Sequence, residues 1–194
     1  MILRPSYIEA IAPFIDQPLV KILAGVRRCG KSTIFEMLAD ELRRRGVPED
    51  RIIKKRYTEM DIPADISAKD MYDDLKLQIQ GKDRCYLLLD EIQEVKDWEK
   101  CINSFRVSLD CDIYITGSNA KLLSGELATY LGGRYVEFVI YPFSFGEFME
   151  LYRTITPDAS IQQSFQTYLL AGGMPYLANL RYADAPSKQY LHDL

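Results

Sequence analysis

The sequence contains few of the residues that bind zinc or other transition metals. It has one histidine, His192, and four cysteines, Cys29, Cys85, Cys101 and Cys111, and no two cysteines form a C-x-x-C pair. Zinc sites need closely spaced cysteine or histidine ligands, so this composition argues against one. Cysteines without disulfide spacing are typical of a reducing compartment, and we expect a cytoplasmic protein.

Long hydrophobic runs are also absent. No apolar stretch approaches the roughly 20 residues that are needed to span a bilayer. The N-terminal stretch MILRPSYIEAIAPF is too short and too interrupted for a signal peptide. These absences predict a protein without a membrane partner.

The sequence lacks an excess of basic residues. Its formal net charge is −4, so no overall positive field indicates nucleic-acid binding. Short basic runs at residues 43–45 and 54–56 are typical of the solvated ends of helices and strands. Nucleic acid stays open as a partner, but the charge does not indicate it.

What the sequence does have is a regular alternation of apolar runs and helical periodicity. The predicted strands are residues 19–24, 51–57, 85–89, 111–117 and 134–140. The predicted helices are residues 5–15, 31 to about 45, 68–81, 97–108 and 119–129. Such alternation predicts an α/β fold with a parallel sheet and helices on both faces. Ligands of such sheets bind at the carboxyl ends of the strands.

The pattern changes after Pro142. Residues 144–152 and 161–170 have helical spacing, and no further strand is predicted. We therefore predict a core over residues 1–142 and a second part over residues 143–194. This second part is too short for an independent core, so we expect a small helical lid or the truncated start of another domain.

The stretch LAGVRRCGKST, residues 23–33, matches the phosphate-binding pattern G-x-x-x-x-G-K-[ST] between a predicted strand and a predicted helix. The glycines let the backbone turn its N–H groups toward a phosphate, and the helix N-terminus favours the same anion. Lys31 is predicted to reach the β- and γ-phosphates, and the Ser32 hydroxyl to bind Mg²⁺. The residues predicted to contact the nucleotide are Gly25, Val26, Arg27, Arg28, Cys29, Gly30, Lys31, Ser32 and Thr33.

Cys29 lies within this loop, next to the predicted helix N-terminus and Lys31. Such a setting activates thiols. We therefore expect alkylation of Cys29 to block nucleotide binding and bound ATP to protect the thiol.

Asp90 and Glu91 end the most apolar of the predicted strands. A carboxylate at this position, beside a phosphate loop, can hold Mg²⁺, and we assign that role to Asp90. The adjacent Glu91 is the predicted general base that activates the attacking water. The alternative is that this acidic pair simply ends a strand.

Two further positions have a functional and a purely structural interpretation. Ser118 follows the next strand and is the first candidate to orient the water or touch the γ-phosphate, before Asn119 and Thr116; alternatively it caps a helix. Arg134 follows two glycines before the fifth strand. It is a candidate to neutralise transition-state charge, in its own chain or in a neighbouring copy; alternatively it lies on a surface turn.

Four stretches together, GVRRCGKST, YLLLDEIQEVKDWEK, YITGSNAKLLSGELATYLGGRYVEFVIYPFSFGEF and YLLAGGMP, resemble the AAA-type ATPases of bacteria and archaea that are often known only as ATP-binding proteins. The resemblance implies a three-layer P-loop NTPase fold with a parallel five-stranded sheet of order 5-1-4-3-2. A partial helical or winged-helix lid follows the sheet. It also implies a C-terminal domain of unknown function, which this chain is expected to lack.

The resemblance implies Mg²⁺-dependent ATP binding and hydrolysis, coupled to a conformational change of the C-terminal domain or a partner. Ser118 matches the sensor position, where the broader AAA+ group usually has Asn, and Arg134 matches the arginine finger of a homo-oligomer. One alternative is a non-hydrolysing ATP-dependent switch or scaffold that regulates a nucleic-acid-associated domain. Another is a small-molecule or nucleotide kinase. The guanine-specific pattern N-K-x-D is absent, which favours adenine.

Overall fold

The structure, a computed structural model, describes residues 2–60, 62–63, 65–118 and 131–194. Contacts within the chain divide it into two units. The sheet unit comprises Pro5–Gly25 and Lys31–Val139, and the helical unit comprises Met1–Arg4, Val26–Gly30 and Ile140–Leu194. The helix predicted over residues 119–129 and the candidate Asn119 lie outside the described residues.

Five strands form the sheet of the sheet unit. They are β1 (Val20–Gly25), β2 (Ile52–Arg56), β3 (Cys85–Asp90), β4 (Cys111–Ser118) and β5 (Tyr135–Val139). Every pair of neighbours is parallel, and the order is β5-β1-β4-β3-β2. The parallel five-stranded sheet predicted from the alternation is therefore confirmed, and the described strands have the order that the resemblance implied.

The position of each strand in the sheet explains its composition. Every residue of β1 and of β3 is buried, because helices cover both faces of a central parallel strand. Such strands are apolar over their whole length, as LLL at residues 87–89 illustrates. The edge strand β2 is different. Its first two residues are buried, and its last three are basic: Lys54 and Arg56 are exposed, and Lys55 is half-buried. Those three basic residues end at the carboxyl edge of the sheet.

Four helices belong to the sheet unit in its described part, namely α1 (Pro5–Ile11), α2 (Lys31–Arg44), α3 (Ala68–Ile79) and α4 (Trp98–Ser108). The α-helix predicted over residues 5–15 ends at Ile11 and continues as a 3-10 turn over Ala12–Phe14. Pro13 explains this ending, because it has no N–H for an α-helical hydrogen bond. A capping box starts α3, since Ser67 and Asp70 each accept a hydrogen bond from the other's backbone N–H, as expected for this pair three residues apart.

The helical unit contains α5 (Phe145–Ile155), α6 (Ile161–Ala171) and α7 (Asp184–His192). Capping boxes start both α5 and α6. The buried Phe148 ring packs against the rings of Tyr152, Tyr168 and Tyr182. The boundary predicted after residue 142 stays a prediction. Among the described residues, no helix is long and apolar enough to cross a membrane.

A glycine joins two segments of the helical unit. The Phe143 N–H donates a hydrogen bond to the Gly173 carbonyl at 2.7 Å. A Cβ at Gly173 would lie 2.0 Å from the Phe143 carbonyl oxygen, closer than any side chain can approach. The sequence AGGMP therefore requires glycine at this position so that the two backbone segments can meet.

Candidate functional site

The carboxyl edge of the sheet collects most of the residues for which the sequence predicts chemistry. Gly25 ends β1 and pairs with Ser118, which ends β4. Asp90 ends β3 and pairs with Arg56, which ends β2. Since the strands are parallel, all four residues lie at one edge, as expected for a ligand site of this fold. The pairing places Ser118 at this edge through its backbone, and its role stays a prediction.

Residues Val26–Gly30 connect β1 to α2 and form the predicted phosphate loop. The Cys29 N–H donates to the Val26 carbonyl at 3.3 Å, which closes a turn within the loop. Gly30 has a φ of 106°, a conformation that residues with a Cβ rarely adopt. The second glycine of the motif is therefore required by the backbone as it enters α2. A helix N-terminus in general favours an anion.

Lys31 and Ser32 form the first turn of α2 and face other residues of the sheet unit. The Lys31 Nζ donates to the carbonyl of Gly25 at 3.0 Å, and the Lys31 side chain is buried. The Ser32 Oγ donates to Asp90 Oδ2 at 2.7 Å. The structure thus brings together the lysine, the hydroxyl and the carboxylate that the sequence predicted as one site. Thr33, on the same turn, is half-buried.

Asp90 is held by three donors. Its Oδ2 accepts hydrogen bonds from Ser32 and, at 3.0 Å, from the Arg56 Nε, and its Oδ1 accepts one from Thr116 Oγ1. The Asp90 side chain is only 6% exposed. Thr116, the third candidate for the position near the γ-phosphate, instead orients the carboxylate from within the buried part of β4.

The donor set fits a magnesium ion. Mg²⁺ prefers hard oxygen ligands and commonly takes one or two of them from the protein and the rest from phosphate and water. The Ser32 hydroxyl and the Asp90 carboxylate supply two such oxygens in direct contact. The part of the chain that the structure describes holds no cluster of three or more His, Cys, Asp or Glu residues suited to a metal.

Glu91 has a strained backbone. Its φ is 55° and its ψ is 47°, in the left-handed region, which is uncommon for residues other than glycine. The Glu91 N–H donates to Thr116 Oγ1 at 3.1 Å, and the Glu91 Oε2 accepts from the Gln93 Nε2 at 2.6 Å. Such a conformation costs about 1–3 kcal/mol and is often found at functional sites. Thr116 thus orients both members of the acidic pair.

Arg56 is the site residue that sequence reasoning missed. The basic run at residues 54–56 was interpreted as the solvated end of a strand, and in the structure its last member contacts Asp90. The signal was the position of Arg56 at the end of a predicted strand. It could be used only with the knowledge that β2 and β3 are neighbours, in register at Arg56 and Asp90.

Arg134 is not at this edge. Its carbonyl accepts a hydrogen bond at 3.1 Å from the N–H of Val20, the first residue of β1, and its side chain is exposed. A strand of this length places Arg134 about 16 Å along the sheet from Gly25. The interpretation in which Arg134 acts on its own chain is therefore wrong, and an action on a neighbouring copy stays a prediction.

The arginine and cysteine of the loop also differ from expectation. The Arg28 guanidinium lies 5.6 Å from the ring centres of Tyr176 and Tyr190, which stack on each other 4.9 Å apart within the helical unit. Arg27 is exposed. Cys29 is fully buried, with 0% exposure, so the expectation that alkylating agents reach its thiol in the folded protein is wrong.

Arg4 links the loop to the start of α5 within the helical unit, a contact that sequence reasoning did not foresee. Its buried guanidinium donates to the Glu147 carboxylate at 2.7 Å and to the Cys29 carbonyl at 3.3 Å. Burial acts to raise the pKa of Glu147, but the hydrogen bonds from Arg4 and from the Ser144 N–H outweigh it, and the pKa is lowered. Glu147 is therefore a carboxylate through which Arg4 connects α5 to the loop that contains Cys29.

Comparison with known proteins gives one family and two relatives of greater length. A model of the AAA domain family matches residues 17–149. An uncharacterized protein of Haemophilus influenzae is 37% identical over 190 residues, which are 97% of this chain and 47% of that protein. An uncharacterized protein of Methanocaldococcus jannaschii is 30% identical over 169 residues, which are 80% of this chain and 35% of that protein. The chain thus spans half or less of the length of these two relatives.

Two solved structures have a similar fold. A DNA polymerase III gamma subunit-related protein from Thermotoga maritima matches with a TM-score of 0.50 and 14% identity, over 89% of this chain and 60% of the other. PCH-2 from C. elegans matches with a TM-score of 0.60 and 16% identity, over 93% of this chain and 61% of the other. At these identities the likeness concerns the fold alone.

Proposed function

The chain belongs to the AAA domain family, and from this premise we propose that it binds ATP with Mg²⁺ and hydrolyses it. In this proposal the nucleotide state is coupled to a conformational change of an attached C-terminal domain or a partner. The observation that carries the proposal is the cluster at the carboxyl edge of the sheet, in which the Ser32 hydroxyl contacts the Asp90 carboxylate at 2.7 Å. Lys31 and Glu91 adjoin these two residues in the sequence.

The binding step relies on the loop and on Lys31. The N–H groups at the start of α2 and the buried Lys31 ammonium provide positive charge for the β- and γ-phosphates. Mg²⁺, when bound by Ser32 and Asp90, neutralises phosphate charge. Thr116 orients Asp90 for this role through its hydrogen bond to Oδ1.

The hydrolytic step relies on Glu91. Its carboxylate accepts a proton from the water that attacks the γ-phosphate, and its left-handed backbone sets the direction of the side chain. A non-hydrolysing switch, the alternative function, needs the metal-binding aspartate but no base beside it. The strained Glu91 next to Asp90 favours hydrolysis over that alternative.

The proposed coupling begins at Arg28. The loop residues Val26–Gly30 belong to the same unit as residues 140–194, and they are continuous along the chain with Gly25 and Lys31. A phosphate that reorients the loop changes the contact of Arg28 with Tyr176 and Tyr190. Arg4, which joins the Cys29 carbonyl to Glu147, provides a second link to the start of α5.

In this proposal, assembly into a homo-oligomer contributes to hydrolysis through Arg134. Its exposed side chain lies at the amino edge of the sheet, away from Asp90 of its own chain. In a homo-oligomer such an arginine can reach the site of a neighbour and neutralise transition-state charge. A rate of ATP hydrolysis per protein molecule that increases with protein concentration in the wild type, and stays constant in R134A, would support this part of the proposal. A rate per molecule that does not depend on concentration would contradict it.

We expect Lys31→Ala to weaken Mg-ATP binding about 10- to 150-fold, because the variant loses a hydrogen bond between a charged donor and a phosphate. Isothermal titration with Mg-ATP measures the effect, and circular dichroism checks the fold. Lys69→Ala is the matched control, since Lys69 is an exposed lysine that pairs with Asp73 on α3. Equal affinity of K31A and wild-type protein would contradict the proposed binding mode.

We expect Arg28→Ala to release α7 from the loop. A cation–π contact contributes about 0.5–2 kcal/mol, so amide hydrogen exchange in Asp184–His192 should accelerate about 2- to 30-fold without nucleotide. In wild-type protein, Mg-ATP should change the exchange in the same segment, and R28A should lose that response. Arg153→Ala, at an exposed position on α5, is the control. A response that survives in R28A would rule out this route of coupling.

A further inference from the structure

The positively charged guanidinium of Arg56 lies beside the Asp90 carboxylate that is proposed to bind the metal. Its Nε donates to Asp90 Oδ2 at 3.0 Å, and the register of β2 with β3 sets the two residues side by side. The Arg56 side chain is 46% exposed, whereas the Asp90 side chain is 6% exposed. An exposed side chain therefore contacts a buried one.

The donors that contact Asp90 Oδ2 compete with a metal ion for this oxygen. The same oxygen accepts the hydroxyl of Ser32 and the guanidinium of Arg56. A carboxylate oxygen has two lone pairs, so these two donors occupy its acceptor sites, while Thr116 occupies Oδ1. Ser32 can become a metal ligand by rotating its hydroxyl. Arg56 has no lone pair to offer a cation, so it has to leave Oδ2.

The neighbouring cations on β2 differ from Arg56 in their partners. Lys54 pairs with Glu36 at 2.8 Å, and Lys55 pairs with Asp74 at 3.0 Å. Each lysine thus has a carboxylate partner other than Asp90, and Glu36 borders the same cavity as Asp90. Arg56 is the member of this run that contacts Asp90.

Open space lies in front of the Arg56–Asp90 contact. A cavity of about 310 Å³ is bordered by Arg56, Asp90, Ser32 and Glu59, all in the sheet unit. Ser32, which borders the cavity, lies in the first turn of α2, where the terminal phosphates are proposed to bind. It allows the guanidinium to move away from Asp90 and remain beside the same site.

We propose that Arg56 exchanges one anion for another: it pairs with Asp90 in the nucleotide-free protein, and it pairs with the terminal phosphate once Mg²⁺ takes its place on Asp90. This inference rests on the proposed function, because it names a further residue of the same site. The exchange keeps a cation on Asp90 in both states and supplies a guanidinium to the γ-phosphate from within the chain. Arginine suits this role because its planar fork matches both carboxylate and phosphate.

The test uses Mn²⁺ as the probe metal, measured by electron paramagnetic resonance, and isothermal titration with ATP and ADP. The proteins are wild type, Arg56→Gln, Arg56→Lys and the control Lys55→Gln, which removes a neighbouring charge whose partner is Asp74. We expect R56Q to bind Mn²⁺ about 5- to 10-fold more tightly without nucleotide, since its competitor is gone. We also expect R56Q to lose about 5- to 10-fold of the preference for ATP over ADP, with R56K intermediate and K55Q close to wild type.

The outcomes separate the two proposals. Unchanged or weaker Mn²⁺ binding by R56Q would mean that Arg56 merely supports Asp90 and would overturn the exchange, even if wild-type protein binds Mg-ATP. Equal changes in K55Q and R56Q would also overturn it, because they would reflect the local charge alone. Wild-type protein that binds no nucleotide at millimolar concentration would overturn the proposed function and the exchange together.

Discussion

Replacing Glu91 with glutamine is expected to lower the rate of ATP hydrolysis by about 10²- to 10⁴-fold while Mg-ATP affinity stays within a few-fold of wild type. Glutamine has the shape of glutamate but cannot take a proton from water. The Glu91 N–H bond to Thr116 does not involve the side chain, so the left-handed backbone should persist in the variant. Phosphate release at saturating Mg-ATP measures the rate, and isothermal titration measures the affinity.

Glu94 offers a matched control for this variant. It ends the 3-10 turn Ile92–Glu94 that directly follows Glu91, it is exposed, and its Oε1 accepts a hydrogen bond from the same Gln93 side chain at 3.3 Å. Glu94→Gln removes a nearby negative charge without touching the proposed base, so its rate should equal that of wild type. Wild-type protein that binds Mg-ATP and turns it over no faster than E91Q would instead support the non-hydrolysing switch.

The second large effect concerns stability and a buried ion pair far from Asp90. Lys21→Met and Asp112→Asn are each expected to lower the free energy of unfolding by about 3–5 kcal/mol, because each leaves an uncompensated charge in the interior. The Lys21 Nζ contacts Asp112 Oδ1, and both side chains are 0% exposed. Burial, opposed by Asp112, lowers the pKa of Lys21. Urea unfolding followed by circular dichroism measures the change.

The double variant makes the test decisive even if a single variant does not fold. Asparagine keeps an oxygen for the Asp16 N–H and the Tyr114 hydroxyl, which contact Asp112 Oδ2 at 2.9 Å and 2.7 Å. With both charges removed, the double variant should be more stable than either single variant, with a coupling energy of about 2 kcal/mol or more. Additive losses would contradict the role of the pair. Asp73→Ala, which breaks an exposed pair with Lys69, should leave stability unchanged.

Local patterns predicted the elements of the sheet unit well. The five described strands begin and end within one or two residues of their predicted positions, because apolar runs of strand length are typical of central parallel strands. The capping box of Ser67 and Asp70 depends only on neighbours along the chain. The end of α1 at Ile11, ahead of Pro13, was not predicted, because the helical spacing of the apolar residues continues past the proline. The order of the strands came from the resemblance to a family, since periodicity carries no information about which strands pair.

The errors and omissions concern residues whose partners are distant in the sequence. Arg134 was considered for the site of its own chain because it precedes a strand, but the start of a parallel strand lies at the edge opposite to Asp90. Cys29 was expected to react because of its neighbours in the loop, and its burial was not visible in them. Arg4 and Glu147, 143 positions apart, could not be connected without a structure.

The sequence alone determined which motifs are present: the pattern G-x-x-x-x-G-K-[ST] with Lys31 and Ser32, and an acidic pair that ends an apolar strand. These motifs are short, and the backbone geometry that they require depends on adjacent residues. Gly30, with a φ of 106°, is an example, because the glycine itself permits that conformation. Tertiary structure alone decided what each group contacts. In it, Arg56 and Ser32 donate to one oxygen of Asp90, and Arg28 lies beside two tyrosine rings. Lys21 pairs with Asp112 in the interior. Pairing across a sheet or a core follows from strand order and packing, which no local spacing specifies.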